Sequence, residues 1–160
     1  MNWFRKAPTP KPPAAAAALS ADEKAKLEQG LNQLRGCSCI KFRGGNPVEW
    51  SFRALENLKP LGESASRSVA GLLRELVKER DAGIYFVLEA ANQLPLTPEL
   101  IAEVREVLEG KTVFQGTPEA MERSRVGGHD LVKWTLAMNL MIRQQAAEIL
   151  GKAPGAQPGP

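Results

Sequence analysis

Apolar residues recur at helical spacing along most of this chain, and each recurrence is bracketed by residues that start and stop helices. The cleanest run lies between Ser64 and Arg80. Val69, Leu72, Leu73, Leu76 and Val77 share one face there, and Arg67, Arg74, Glu75, Lys78 and Glu79 take the other. Ser20 with Glu23 forms a capping box, so a helix is expected from about 21 to Gly36, with Ala25, Leu27, Leu31 and Leu34 inward. Gly30 weakens that helix, because glycine costs about 1 kcal/mol at a helix interior position. Asn46-Pro47-Val48-Glu49 is a second start signal, for a helix reaching about Leu58 that buries either Trp50, Ala54 and Leu58 or Phe52 and Leu55. Thr97-Pro98-Glu99 opens another, ended by Gly110, with Leu100, Ile101, Val104, Val107 and Leu108 as its apolar stripe.

Two stretches read differently. Cys37 to Arg43 alternates in a way that suits a short strand closed by Gly44-Gly45, and Thr112 to Gln115 suits a second strand pairing with 38–42. Ile84 to Ala91 is ambiguous. Its Ile-Tyr-Phe-Val-Leu run favours a strand by propensity, whereas Ile84, Val87, Leu88 and Ala91 form a helical face behind Asp81 as a cap. The continuation Glu-Ala-Ala-Asn decides for helix. Thr117-Pro118-Glu119 predicts a brief helix before Gly127-Gly128, and Asp130 caps a last helix to about Leu150.

That last helix is unusual. Leu131, Val132, Trp134, Leu136, Met138, Leu140, Met141 and Ile142 leave almost no polar face in its first three turns. A helix apolar all round must be covered on most sides. It is therefore either the central core helix or one shared with another subunit.

The fold class that follows is mainly α: a compact multi-helix domain over 20–150, with one or two short β-strands, between Pro/Ala-rich tails at 1–19 and 151–160. The 160 residues are 43% hydrophobic and 24% charged, an ordinary globular balance. Charge location adds more than the net +3 does. Arg5, Lys6 and Lys11 precede the first acidic residue, Asp22. Removing those three from 21 basic residues leaves 18, equal to the 18 acidic ones. The excess positive charge thus belongs to the N-terminal segment, and the body lacks the net basicity expected of a duplex-binding domain.

Two cysteines are too few for a disulfide-built secreted fold, and no apolar run reaches the length of a membrane span. A secretory leader is disfavoured because Pro8, Pro10, Pro12 and Pro13 interrupt the segment where its apolar helix would lie. The expected compartment is the cytoplasm.

Chemistry-bearing residues are sparse. His129, the single histidine, sits beside Asp130 without a nucleophile motif. Cys37-Ser38-Cys39 supplies two soft ligands at most, and His129 would bring the set to three where a structural zinc takes four. Arg43-Gly44-Gly45-Asn46 lacks both phosphate-loop and dinucleotide spacing. Arg123, Arg125, Lys133 and His129 make a basic cluster diluted by Glu119, Glu122 and Asp130. No catalytic, cofactor or metal site is expected. Trp3-Phe4 followed by Arg5-Lys6 resembles a docking peptide, an aromatic anchor for a partner groove or for an anionic membrane surface. The leading expectation is a non-enzymatic interaction or assembly protein in a homo- or hetero-oligomeric complex. Its partner-binding residues would be Trp3, Phe4, Arg5, Lys6, Trp134, Met138 and Met141. The alternatives are a nucleic-acid-binding protein that uses its basic tail, and a small thiol- or His-dependent enzyme.

Overall fold

The computed structural model describes residues 18–41, 45–116 and 131–153. Among these, six α-helices run in the order α1 (Ala21–Arg35), α2 (Pro47–Leu58), α3 (Glu63–Glu79), α4 (Ile84–Ala91), α5 (Pro98–Glu109) and α6 (Leu131–Gly151). A single 3-10 turn, Lys59–Leu61, links α2 to α3. The mainly helical class holds, and three of the starting signals act as their chemistry predicts; Asp81 does not cap α4, whose N-cap is Gly83 without a side-chain cap bond. The Ser20 hydroxyl accepts from Glu23 N while the Glu23 carboxylate accepts from Ser20 N. The Asn46 side chain accepts from Val48 N, and Thr97 accepts from Leu100 N.

The helix at the centre is α4, which packs against α2, α3 and α6. Ile84, Val87, Leu88, Ala90 and Ala91 are all fully buried. Burial of five of its eight side chains, with Tyr85, Phe86 and Glu89 half-buried, explains why a β-favouring sequence is helical here: packing outweighs propensity differences of a few tenths of a kcal/mol per residue. Around it, α1 lies on α2 and α3, and α5 lies between α3 and α6. Leu34, Leu58, Val69, Leu73, Leu100, Val104, Ile142 and Ile149 complete the core. On α2 the Ala54–Leu58 face is the inner one and Phe52 is exposed; on α1, Ala25 is exposed as well.

Gly30 has a packing role. A Cβ there would lie 2.7 Å from the Cγ and one Cδ of buried Leu58, so the glycine is what lets α1 and α2 approach.

The two expected strands need correction, since the described residues contain no sheet. After α1 the chain turns at 36–41. The Ser38 hydroxyl accepts from both Ile40 N and Lys41 N, and this side-chain competition for backbone donors curls the segment instead of extending it. Phe42 and Arg43 lie outside the described residues. Residues 111–115 form neither helix nor turn, and the partner of Gln115 is the α3–α4 turn and not 38–42. Gln115 N donates to Arg80 O and Ala82 N donates to Gln115 O, forming one isolated parallel bridge between Asp81 and Gln115. Arg80 has φ 55°, which ends α3 and prevents a longer ladder.

The brief helix expected at Thr117, the Gly127-Gly128-His129-Asp130 elbow and the residues 1–17 and 154–160 of the two tails lie outside the described residues. Helix α6 continues through Gly151, where Lys152 Nζ donates to Asn92 Oδ1 at 2.6 Å.

Candidate interaction surface

Helix α6 is positioned by polar side chains as much as by apolar ones. Asn139 is buried, and its Oδ1 accepts from Phe114 N at 2.8 Å while its Nδ2 donates to Phe114 O at 3.1 Å and to Thr135 O at 2.8 Å. One turn on, Arg143 Nη2 donates to Gly110 O at 3.2 Å and Thr112 O at 2.9 Å. These two residues satisfy the backbone of the 110–114 segment where it has no strand beside it. They also fix the rotation of α6 about its axis. Asn139, Ile142, Ala146 and Ile149 point inward.

The opposite side of α6 is exposed and largely apolar. Leu136 is 66% exposed, Leu140 59% and Met141 42%, and Ala137 and Ala147 are exposed with them. At 100° per residue the outward positions 133, 136, 137, 140, 141, 144, 147 and 148 span a sector of about 140°. Three of these eight are polar: Lys133, Gln144 and Glu148. The helix is therefore peripheral, and the central-core alternative is overturned by the position of α4.

Of the residues singled out in the sequence, Trp134 and Met138 are half-buried and pack against the core, and Met141 is exposed. At i, i+4 and i+7 the three form one stripe bordering the exposed face. Trp3, Phe4, Arg5 and Lys6 lie outside the described residues. The two most exposed apolar residues of α6, Leu136 and Leu140, were not singled out. Their signal was Asn139, the single polar side chain between Leu136 and Leu140: where it turns in, Leu140 lies about 100° round the helix, and Leu136 stands one turn before Leu140 on the same side. A smaller exposed pair, Val48 and Phe52, lies at i and i+4 on α2.

The cysteines sit in a buried knot between the 36–41 turn and the α3–α4 turn. The Asp81 carboxylate, fully buried, accepts from Ser38 Oγ, from Cys39 N at 2.8 Å and from Gly83 N at 2.8 Å. Gly83 must be glycine, because a Cβ there would run into the Cys37 carbonyl oxygen and lie 2.8 Å from Ser38 Cα. The Cys37 thiol donates to Pro47 O at 3.3 Å. Burial, with the neighbouring Cys39 and Asp81 charges adding to it, pushes the Cys37 thiol up to about 12; burial and Asp81 push Cys39 up to about 11. Both thiols stay protonated at neutral pH and are poor nucleophiles there.

Among the described residues, no three His, Cys, Asp or Glu side chains are placed to hold a metal ion. A groove of about 580 Å³ runs between Gln29, Asn32 and Gln33 of α1 and Trp50 of α2. Glu28 is the one ionisable side chain among the described residues that line it, so they supply no acid–base pair. No described helix is long and apolar enough to cross a membrane. Comparison of the chain with protein-family models, with curated proteins and with solved structures finds no match in any of the three.

Proposed function

We propose that this chain is a non-enzymatic assembly protein that works by presenting the outer side of α6 to a protein partner within a larger homo- or hetero-oligomeric complex. The observation that carries this reading is the exposed row of Leu136, Leu140 and Met141 on a helix whose other side is fully engaged. Exposed large apolar side chains that adjoin one another are a recurring mark of protein interfaces. The rigid seating of α6 by Asn139 and Arg143 supports it further, since a surface held in one orientation loses little freedom on binding. In the same reading Trp3, Phe4, Arg5 and Lys6 supply a second contact, an aromatic anchor beside two cations. The buried, protonated thiols of Cys37 and Cys39 weigh against the thiol-enzyme alternative.

The test is the native size of the full chain in extracts of the cells that make it, compared with that of Leu140→Glu. The wild type is expected to migrate far above the 17.4 kDa of one chain. The variant, equally helical by circular dichroism, is expected to shift toward that single-chain mass. A wild type already at single-chain mass, unmoved by the substitution, refutes the reading.

A further inference from the structure

The groove along α1 has a direction, and the chain itself carries a segment that fits it. Ala25, Glu28, Gln29, Asn32 and Gly36 stand at i, i+3, i+4, i+7 and i+11, one continuous stripe of that helix. At about 1.5 Å per residue the stripe is about 16 Å long. Trp50 closes its far end: a Cβ at Gly36 would lie 3.2 Å from Trp50 Cδ2, so the indole rests against that glycine. The ring is half-buried and lines the groove with the rest of its surface. The polar lining is mostly amide. Gln33 Oε1 accepts from Asn57 Nδ2 at 2.9 Å, which leaves the Gln33 N–H groups as donors beside those of Gln29 and Asn32.

An aromatic ring flanked by amide donors suits a polyproline helix. Its rings pack on aromatic faces, and its backbone carbonyls, unbonded within the helix, are open to outside donors. Residues 8–13, Pro-Thr-Pro-Lys-Pro-Pro, have that composition. At about 3.1 Å per residue such a segment runs about 16 Å, the length of the stripe.

The place where the chain enters α1 sets the register. The described residues begin at 18 and α1 begins at Ala21, so the segment must turn back near Ser20 and run antiparallel to the helix. The link from 13 to 20 reaches about 23 Å when extended, ample for the roughly 8 Å of helix rise from Ser20 to Ala25. With Pro13 beside Ala25, Pro8 falls about 23 Å beyond the level of Ser20, and Gly36 lies at about 24 Å. In the same register Lys11 falls at about 14 Å and Glu28 at about 12 Å. Lys11 is the one cation of the segment, and Glu28 is the one ionisable residue among those lining the groove. Glu28 joins none of the ion pairs among the described residues. Length, point of attachment and charge agree on one alignment.

We infer that residues 8–13 of the same chain dock in the α1–α2 groove as a polyproline helix, with Pro8 against Trp50 and Lys11 beside Glu28. This inference is independent of the reading of α6. The groove is open, so its intrinsic affinity is weak, with a dissociation constant on the order of 1 mM. A tether this short supplies a local concentration on the order of several millimolar, so the docked form predominates. Docking carries Trp3 and Phe4 past the Trp50 end of the groove and leaves them for the partner contact proposed above.

Paramagnetic broadening of amide signals in the full chain tests it. A nitroxide is attached at Ala7→Cys, and the protonated Cys37 and Cys39 thiols stay unlabelled at neutral pH. In the docked form the nitroxide stands beside Gly36. The Gly36 amide and the Trp50 indole N–H are expected to lose most of their intensity. Lys11→Glu is expected to lower the docked-to-free ratio about threefold and return intensity at both. Glu28→Lys is expected to do the same, and the two reversals together restore the broadening. Circular dichroism checks that Glu28→Lys keeps its helices, and Lys11→Glu, which precedes α1, is the arm that leaves them untouched. Isotope-labelled chain without the nitroxide, mixed with unlabelled chain that carries it, is expected to show no broadening at either signal.

Three results overturn the inference. One is a pair of signals that keep full intensity, or whose broadening ignores Lys11→Glu. Another is a double reversal no better than the singles, which excludes the register. The third is broadening in the mixed sample, which makes the occupant the segment of a second copy.

Discussion

Asn139 offers the sharpest test of how α6 is held. Replacing it with alanine removes the acceptor of Phe114 N and the donor to Phe114 O, where Asn139 is buried and Phe114 fully so. A buried backbone group left without a partner costs about 1–3 kcal/mol, so two of them cost about 2–6 kcal/mol. The third bond, from Nδ2 to Thr135 O, contributes less, because water reaches the more exposed side of that turn. We expect a loss of about 3 kcal/mol, a large share of the 5–15 kcal/mol typical of a domain. With a urea dependence of about 2 kcal/mol per molar, the unfolding midpoint falls by about 1.5 M. The comparison is Asn57→Ala, which removes a single amide–amide bond to Gln33 at a half-exposed site and is expected to cost under about 1 kcal/mol. Native-state hydrogen exchange adds a local readout, since the Phe114 amide should lose its protection in Asn139→Ala. If the two variants unfold at the same midpoint and Phe114 stays protected, the clamp is not what holds the 110–114 segment.

Gly30→Ala is expected to destabilise the fold even though alanine is the better helix former. The gain of about 1 kcal/mol in propensity is outweighed by about 1–3 kcal/mol of overpacking against Leu58, and an increase in melting temperature would contradict the close approach. Asp81→Asn places a donor against Ser38 Oγ, which already accepts from Ile40 N and Lys41 N; a loss of about 2–4 kcal/mol by urea unfolding is expected, and a neutral outcome would remove the knot from the account. The thiols link stability to pH. Their pKa is raised from 9.0 in the fold, so above pH 9 the folded chain keeps protons that the unfolded chain has released. The contribution is full below pH 9 and is lost as pH rises through 11 to 12. Cys37→Ser/Cys39→Ser should show a shallower decline in stability between pH 9 and 11 than wild type, and equal slopes would refute the shift. In the native protein both thiols should also react slowly with Ellman's reagent at pH 8 and rapidly once unfolded.

The helices were legible because their signals are local. Ser20 with Glu23, Asn46 with Pro47, and Thr97 with Pro98 each act within one turn, and each acts as expected. The strands were not legible because their outcome depends on distant partners. Alternation at 37–43 is a real pattern. The two amide protons that would have entered a ladder, those of Ile40 and Lys41, go to Ser38, whose hydroxyl is held by Asp81 from 43 residues away. Thr112 to Gln115 forms no strand beyond one bridge at Gln115, and its neighbours are a turn on one side and an asparagine and an arginine on the other. Nothing in the segment's own sequence specifies that arrangement. Gly30 belongs to the same class: what looked like a defect in α1 is a property of the α1–α2 pair.

The surface of α6 shows where pattern reading stops short. Its first three turns are apolar nearly all round, and spacing alone left two placements for it, central or shared. A chain has room for one central helix of this kind, and α4, at eight residues, occupies that place. It does so because Gly83 lets the Cys37–Ser38 backbone close over its start and because Ala90 and Ala91 let its neighbours approach. Once α4 is central, α6 must lie outside it. The buried amide of Asn139 then decides which side turns in, and Leu136, Leu140 and Met141 are left facing out. The exposed row is thus the consequence of two polar anchors and a short central helix. This is why the identity of residue 139, rather than the number of apolar residues around it, determines whether the outer stripe is presented in one fixed orientation.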